Sequence, residues 1–324
     1  MKILVCGGAG YIGAHMVRRL QVEDCEVVVF DDFSTGHRAA VEGVCVVEGT
    51  LLSEHDIERA FANGGFDAAM HFCAHALVAE SVRDPYAYYR NNLVGTLNLL
   101  SALRRHSVNR LIFSSTCAIF GVPQTARIDE AHPKAPINPY GASKWMCERM
   151  LADAWPAYGL KSVALRYFNA AGAALDGRIG ESHSPETHLI PNVLNTALGK
   201  LPVIKVFGRD YPTPDGTCVR DYVHVLDLVD AHWRALALID QSPGAHAFNL
   251  GSERGFSVRE IIEAAETICG RKILQESCPR RDGDPPELVA DSTRARSVLG
   301  WAPQMSGLDT ILKSALAWHR APRF

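Results

Sequence analysis

The glycine-rich run at residues 7–13 constrains the fold of this chain more than any other stretch. It reads Gly-Gly-Ala-Gly-Tyr-Ile-Gly and follows directly on the apolar run of residues 2–6. A strand, a glycine turn and a helix in this order leave bare backbone that a pyrophosphate can approach, and the helix N-terminus attracts its charge. The spacing is G-x-x-G-x-x-G rather than the commoner G-x-G-x-x-G, and an ordinary glycine turn is the alternative interpretation.

An acidic pair supports the dinucleotide interpretation. The next apolar run, residues 27–30, ends in Asp31 and Asp32. A carboxylate at the end of the second strand, about 20 residues after the glycines, suits a ribose 2′-hydroxyl and repels a 2′-phosphate. We therefore expect NAD rather than NADP as the cofactor.

Alternating strand and helix patterns predict an α/β fold, a Rossmann-type doubly wound parallel sheet with a smaller, mixed α/β C-terminal substrate domain. We place the cofactor-binding domain at residues 1–170 and the substrate-binding domain at 171–324, with some segments interleaved between them. The further strands predicted for the sheet are 44–47, 66–72 and 110–113, and the helices between them lie near 53–62 and 85–105.

The segment 138–144 carries the candidate catalytic pair. Asn138 can cap a helix, and the pattern predicts one from Pro139 to about residue 155, ended or kinked by Pro156. Tyr140 and Lys144 stand four apart on one face, so the ammonium is expected to lower the tyrosine's pKa from about 10. Taken alone, this pair is better explained as an ordinary helix surface, and only the other motifs of the chain favour the catalytic interpretation.

Hydroxyl side chains follow the strand predicted at 110–113. Ser114, Ser115 and Thr116 fall at the carboxyl edge of the sheet, where open α/β sheets bind ligands. The alternative is simple hydrogen bonding at a strand end. The functional interpretation is that Thr116 holds a substrate hydroxyl that Tyr140 deprotonates.

Composition narrows the class of protein. Apolar residues make up 47% and charged residues 21%, which indicates a packed core, and the net charge of −3 gives no general attraction to nucleic acid or anionic membranes. No apolar run approaches the roughly 20 residues that span a bilayer, and no secretory leader is visible. The nine cysteines form no C-x-x-C pair, which indicates reduced thiols and a cytoplasmic protein. The thirteen histidines show no H-E-x-x-H or comparable spacing, so no metal site is expected.

Motifs in order along nearly the whole chain resemble those of the extended short-chain dehydrogenases/reductases, and within them of the UDP-glucose (UDP-galactose) 4-epimerase family. The longest is FGRDYPTPDGTCVRDYVHVLDL at 207–228. The others are GGAGYIG at 7–13, HFCAH at 71–75, YYRNN at 88–92, FSSTCAIFG at 113–121, NPYGASK at 138–144, RYFNAAG at 166–172, PETHLIP at 185–191 and PRRDGDP at 279–285.

The resemblance implies an enzyme that interconverts UDP-galactose and UDP-glucose by transient oxidation at sugar C4. Tyr140 corresponds to the family's base, Lys144 to the residue that lowers its pKa, and Thr116 to the hydroxyl that contacts the 4-oxygen. The positions matching NAD contacts are Gly7, Gly10, Tyr11, Ile12, Gly13, Asp31, Asp32, Phe72, Ala74, Asn91, Ser114, Tyr140, Lys144 and Phe168. Those matching substrate contacts are Thr116, Tyr140, Asn169, His188, Leu189, Phe207, Arg220, Arg281, Asp284 and Leu288.

Some positions depart from the family or keep an alternative. Thr50 stands where the family usually has an aspartate that contacts the adenine amino group. Ala76 stands where some members have a lysine near the cofactor. Leu288 replaces a tyrosine, which implies room for a 2-acetamido group, so 4-epimerases of UDP-N-acetylhexosamines or UDP-pentoses stay open. For Arg220 and Arg281 the alternative is a surface ion pair with Asp221 or Asp282. The helices near 85–105 and 139–155 correspond to the family's dimer contacts and imply a homodimer.

Two other functions compete with epimerisation. A nucleotide-sugar 4,6-dehydratase carries an acid beside the catalytic threonine, whereas this chain reads Thr116-Cys117-Ala118. A regulatory protein could bind NAD on the same fold without catalysis. Such a sensor has no need of Thr116, Tyr140 and Lys144 together, so their presence favours an enzyme.

Overall fold

The apolar runs of the chain form alternating strands and helices in a computed structural model that describes residues 1–62, 64–281 and 284–324. The strands are β1 (Lys2–Cys6), β2 (Glu26–Asp31), β3 (Cys45–Glu48), β4 (Ala68–His71), β5 (Arg110–Thr116), β6 (Lys161–Tyr167), β7 (Asn169–Ala171), β8 (Ile204–Phe207), β9 (Val219–His224), β10 (Ala245–Leu250), β11 (Gly255–Ser257), β12 (Gln275–Cys278) and β13 (Glu287–Leu288). The α-helices are α1 (Tyr11–Val22), α2 (Glu54–Phe61), α3 (Val78–Arg83), α4 (Pro85–Tyr88), α5 (Gly95–Arg105), α6 (Pro139–Tyr158), α7 (Leu189–Ala197), α8 (Val225–Gln241), α9 (Val258–Cys269), α10 (Thr293–Leu299) and α11 (Leu308–Arg320).

A parallel sheet of seven strands forms the centre of the molecule, in the order β10-β6-β5-β4-β1-β2-β3. Alternate residues of β1 pack on opposite faces: Ile3 and Val5 join α1 and α8, whereas Leu4 and Cys6 join α2, α5 and α6. Helices therefore cover both faces, as all-parallel sheets require. The predicted doubly wound sheet is confirmed.

The strand order reverses direction between β1 and β4, so a crevice opens between the carboxyl ends of these strands. The glycine run follows β1 and the segment 72–75 follows β4. The sheet therefore brings two of the predicted cofactor-binding segments to one place.

Most of the strands that follow β6 in the chain form a second, smaller layer. Strand β9 pairs with β7, β11 and β13, strands β8 and β12 form a separate pair, and helices α7, α9 and α11 share one apolar core with them. Strand β10 then returns to the large sheet beside β6. The two sides of residue 170 are thus intertwined, and a domain boundary there stays a prediction. No helix within the described ranges is both long and apolar enough to cross a membrane.

The single helix predicted near 85–105 is wrong in detail. The chain forms α3 and α4, then a π-helical turn at Tyr89–Val94, and only then α5. Asp84 explains the first break, because its side chain caps α4 and Pro85 occupies the first helical position. The wide turn that follows places Asn91 and Asn92 toward α6, as π turns at functional sites often do.

Helix α6 also differs from its predicted end. It continues through Pro156 to Tyr158 and ends at Gly159, which has the left-handed φ of 70°. Pro156 lies so close to the C-terminus that little helix remains for it to break, and the glycine supplies the helix end.

Candidate active site

The glycine run forms a close-packed turn with one open side. Gly7 has φ of +78°, and a Cβ there would lie 2.6 Å from the Cys73 backbone nitrogen. A Cβ on Gly13 would lie 2.0 Å from the Gly7 carbonyl oxygen, whereas at Gly10 the nearest atom would be 3.5 Å away. The open side faces the start of α1, whose first-turn N–H groups have no partners within the helix. This cradle fits the pyrophosphate of a dinucleotide.

Asp31 fixes the glycine turn from the end of β2. Its carboxylate accepts hydrogen bonds from the backbone nitrogens of Ala9 (2.8 Å) and Phe33 (2.9 Å). Burial raises the pKa of Asp31, and these two bonds oppose the rise. An ionised carboxylate accepts about four hydrogen bonds, so capacity for ribose hydroxyls remains. Asp32 is exposed and accepts from the backbone and hydroxyl of Ser34.

The hydroxyls of Tyr140 and Thr116 are brought together by the packing of α6 on the end of β5. The Thr116 side chain is a neighbour of Tyr140 that favours its ionised form. Asn138 caps the helix by accepting from the Gly141 nitrogen at 2.8 Å. A Cβ on Gly141 would lie 2.4 Å from the Ala118 carbonyl oxygen, so only glycine permits this approach. The predicted catalytic pair of hydroxyls therefore exists in the fold.

The electrostatics of Tyr140 differ from the prediction. Burial raises its pKa to about 12, and the neighbouring Thr116 side chain only partly opposes this rise. Lys144 does not lower it: the lysine Nζ donates to the Ser114 carbonyl at 2.8 Å and lies 4.7 Å above the Phe113 ring. Burial lowers the pKa of Lys144 to about 8. The ammonium is thus held inside the site by a carbonyl and a ring face, and desolvation dominates both groups.

Asn92 is the anchor that sequence reasoning missed. Its side chain accepts from the His75 nitrogen (2.8 Å) and donates to the His75 carbonyl (3.0 Å) and the Ser143 hydroxyl (3.1 Å). Ser143 in turn donates to the Tyr140 carbonyl at 2.7 Å. Asn91, the predicted contact, is partly exposed and donates to Asn92 at 3.0 Å. The pair of asparagines was a visible signal, but only the π turn shows which of them is buried.

A buried ion pair behind the catalytic strand was also missed. Arg166 donates to both carboxylate oxygens of Glu148, with Nε at 2.9 Å and Nη2 at 2.6 Å, and each side chain is 5% exposed. The Ser115 hydroxyl donates to the same carboxylate at 2.5 Å. Breaking such a pair leaves an uncompensated buried charge. It therefore ties β5 and β6 to the middle of α6 and fixes the direction of Thr116.

The remaining predicted cofactor residues surround the glycine turn and the end of β5. Tyr11 donates its hydroxyl to the Gly172 carbonyl at 2.6 Å, and Ile12 and Phe72 pack against the core on the α1 side of the sheet. Ala74 is partly exposed after β4. Ser114 shares a short hydrogen bond between its hydroxyl and that of Tyr167.

The predicted substrate residues form separate contacts in the smaller layer. Arg220 pairs with Asp284 rather than with Asp221, and Arg281 lies 4.1 Å above the Phe207 ring, while Asp282 falls outside the described residues. Desolvation lowers the pKa of Arg220, but Asp284 outweighs it and the net pKa is raised.

Asn169, Phe168 and Leu288 lie between this layer and the catalytic hydroxyls. Asn169 donates to the Asp221 carbonyl at 2.9 Å. Phe168 and Leu288 belong to one small apolar cluster that includes Cys117, the neighbour of Thr116. Leu288 is partly exposed and pairs in register with Arg220. Through Leu288 this cluster connects Arg220 to the neighbour of Thr116.

Asp221 organises these segments from the centre. It is fully buried and accepts from the backbone and hydroxyl of Ser252, at 2.8 and 2.7 Å, and from the nitrogens of Glu253 and Ala290. Burial raises its pKa to about 6, against the pull of these bonds. The sequence offered no signal for this role, because the partners lie 31 to 69 positions away.

His188 and Leu189 stand at the start of α7. Leu189 packs against the core of the smaller layer. His188 Nδ1 lies 2.8 Å from Glu181 Oε1 and 2.9 Å from Glu186 Oε1. Burial lowers the pKa of His188, but the two carboxylates outweigh it and raise the pKa to about 10.

Comparison with known proteins places these features in a family. Residues 3–251 match the NAD dependent epimerase/dehydratase family. UDP-glucose 4-epimerase of Streptococcus mutans is 50% identical over 322 residues, which are 98% of this chain and 97% of that protein. The crystal structure of UDP-glucose 4-epimerase from Brucella ovis in complex with NAD is similar with a TM-score of 0.94 and 47% identity, over 97% of both chains. The UDP-Glc/GlcNAc 4-epimerase from Campylobacter jejuni is similar with a TM-score of 0.86 and 41% identity, over 98% of this chain and 99% of that one.

Replacing Lys144 by methionine tests the buried ammonium. Burial lowers its pKa from 10.5 to about 8, so between those pH values the unfolded chain holds more protons than the folded one. The free energy of unfolding therefore rises with pH in that window. We expect the wild type to gain about 2 kcal/mol relative to Lys144→Met between about pH 7 and about pH 10, measured by urea unfolding.

Lys205→Met is the matched control, because Lys205 is exposed on β8. Its difference from the wild type should stay constant over the same range. A difference that is equally constant for Lys144→Met would contradict a buried, weakly basic lysine.

Proposed function

The chain belongs to the NAD dependent epimerase/dehydratase family, and on that premise we propose that it interconverts UDP-galactose and UDP-glucose with NAD as cofactor. The observation that carries the proposal is the neighbouring position of Tyr140 and Thr116 beside the buried Lys144. Identity of 45 to 50% to UDP-glucose 4-epimerases over nearly the whole chain supports the same reaction.

NAD fits the crevice between β1 and β4. Gly7, Gly10 and the first turn of α1 receive the pyrophosphate, and Asp31 and Asp32 receive the adenosine ribose. The residues assigned to the rest of the cofactor are Phe72, Ala74, Asn91, Ser114, Tyr140, Lys144 and Phe168. When bound, NAD supplies the acceptor and donor of the hydride at sugar C4.

Tyr140 moves the proton at the sugar 4-hydroxyl. Its phenolate takes the proton as C4 is oxidised to a ketone, and its phenol returns the proton after the 4-keto sugar has turned over in the pocket. Thr116 lies beside Tyr140 and orients the 4-oxygen toward it. A base with a raised pKa is inefficient near neutral pH, so positive charge beside the phenol is needed. Lys144 is the cation of this site, and it would have to act on Tyr140 when substrate and cofactor are bound, because in the structure its Nζ donates to the Ser114 carbonyl.

The nucleotide diphosphate is assigned to the smaller layer. Arg220 and Arg281 present guanidinium groups that suit phosphate oxygens, and Asp284 can accept from ribose hydroxyls. Asn169, His188, Leu189 and Phe207 complete this surface. In this division residues 1–170 bind NAD and residues 171–324 bind the nucleotide sugar, with β10 as a shared element.

Leu288 favours a second candidate, a 4-epimerase that also accepts UDP-N-acetylhexosamines. Its partly exposed side chain lies in the apolar cluster beside Cys117, and a leucine leaves more space there than a tyrosine does. Turnover of UDP-N-acetylglucosamine that is lost in Leu288→Tyr would support this extension. Good activity on UDP-galactose with none on the acetamido sugar would refute it.

We further propose a homodimer in the cytoplasm. Val94, Leu97 and Met146 are 43 to 50% exposed on the adjacent helical segments that the family uses to dimerise, and all nine cysteines are free thiols. Light scattering that returned the mass of one chain would contradict the dimer.

Tyr140→Phe tests the proposed reaction. The purified wild type should convert UDP-galactose to UDP-glucose with no NAD added, and the variant should retain NAD but turn over about 10²- to 10⁴-fold more slowly because it lacks the proton-transferring hydroxyl. Product identification by NMR and cofactor content by absorbance measure the two effects separately.

Tyr158→Phe removes a hydroxyl from an exposed tyrosine at the far end of the same helix and serves as the control. It should keep wild-type turnover. Full activity in Tyr140→Phe would remove the base from the mechanism, and a 4-keto-6-deoxy product from the wild type would overturn the reaction itself.

A further inference from the structure

Four potential metal ligands meet on the segment between β7 and α7. They are Glu181, His183, Glu186 and His188, and their donor atoms all lie within 4.8 Å of one another. Their spacing, E-x-H-x-x-E-x-H, is not a familiar metal motif, which is why the sequence predicted no metal site. The fold of the segment, rather than one helix face, brings the four side chains together.

The donor atoms lie close enough together, all within 4.8 Å of one another, to become ligands of one zinc ion. With bonds of about 2.0–2.2 Å to histidine nitrogen and carboxylate oxygen, those edges are about 3.3 Å long. His188 Nδ1 lies 2.8 Å from Glu181 Oε1 and 2.9 Å from Glu186 Oε1. His183 Nδ1 lies 3.4 Å from Glu181 Oε1 and 3.6 Å from Glu186 Oε2. The observed values bracket the tetrahedral edge on both sides.

His183 supplies an independent indication of a missing partner. Its Nδ1 is closed off from solvent, yet it has no well-aligned hydrogen-bond partner although it points at two carboxylates. Buried polar atoms are rarely left in this state. Glu181 is 6% exposed, and a buried carboxylate normally requires charge compensation, which His188 supplies at 2.8 Å in the structure. A metal cation between the four donors would take the place of the protons on the imidazoles and would also satisfy His183 Nδ1.

We propose that Glu181, His183, Glu186 and His188 form a structural site for one divalent cation of the zinc type. Two carboxylates and two neutral imidazoles carry a charge of −2, which one such cation balances. Four protein ligands leave no open position on the cation, so the site is structural rather than catalytic, and a metal-bound His188 keeps only its backbone and the far side of its ring for the substrate contact assigned to it above.

The cation would stabilise the segment that leads into α7. The Glu181 carbonyl accepts from Trp318 Nε1 at 2.8 Å, and the Glu186 carbonyl accepts from Asn192 Nδ2 at 3.3 Å, so the backbone at both glutamates is already fixed to α11 and α7. His188 immediately precedes α7. A cation bound by the four side chains would therefore hold residues 181–188 in place beside the smaller layer.

The test is zinc binding by untagged protein. The purified chain is stripped with chelator and titrated with zinc chloride at about pH 8, where zinc displaces the protons of the two imidazoles as it binds. We expect saturation at one zinc per chain by calorimetry and elemental analysis. His183→Ala and Glu181→Gln should each weaken binding by at least about 100-fold, because a first ligand is worth more than the supporting contacts that cost 10- to 100-fold.

His55→Ala is the matched control, since His55 is an exposed histidine on α2. It should bind zinc as the wild type does, and zinc should raise the melting temperature of both but not that of His183→Ala. Failure of the wild type to bind zinc stoichiometrically, or equal binding by His183→Ala, would overturn the proposal. These readouts need no turnover, so they stand whether or not the proposed reaction is correct.

Discussion

The close approach of α6 to the end of β5 is the contact on which the candidate site depends. It exists because residue 141 has no side chain, and a Cβ there would lie 2.4 Å from the Ala118 carbonyl oxygen. The Asn138 cap fixes where the helix begins, and the Glu148–Arg166 pair fixes its middle to β5 and β6. Together these three contacts place Tyr140 beside Thr116.

Much of the cofactor half could be predicted from the sequence because its signals are local. A strand, a glycine turn and a helix occupy consecutive residues at 2–22, and the cap, proline and tyrosine of α6 are consecutive too. The parallel sheet follows from the alternation of elements. Two predictions about helices were wrong. Pro156 did not end α6, and residues 85–105 did not form one helix, because Asp84 and the π turn divide them.

The residues that sequence reasoning missed act over long separations. Asn92 joins the segment after β4 to α6, Asp221 joins three segments of the smaller layer, and the carboxylates at 181 and 186 meet two histidines through a folded loop. No periodicity encodes such pairings. The prediction of a lowered pKa for Tyr140 was wrong for a related reason. Helix spacing places Lys144 nearby, but it does not reveal that Lys144 donates to the Ser114 carbonyl or how deeply both groups are buried.

In the proposed reaction, the hydroxyls of Tyr140 and Thr116 support oxidation and reduction at the same sugar carbon. The most direct measurement uses UDP-galactose carrying deuterium at C4, with the product followed by NMR in ordinary water. We predict UDP-glucose that retains deuterium at C4. The C4 deuterium leaves and returns within the closed site, whereas only the 4-hydroxyl proton passes through Tyr140. Replacement of the deuterium by solvent hydrogen would contradict it.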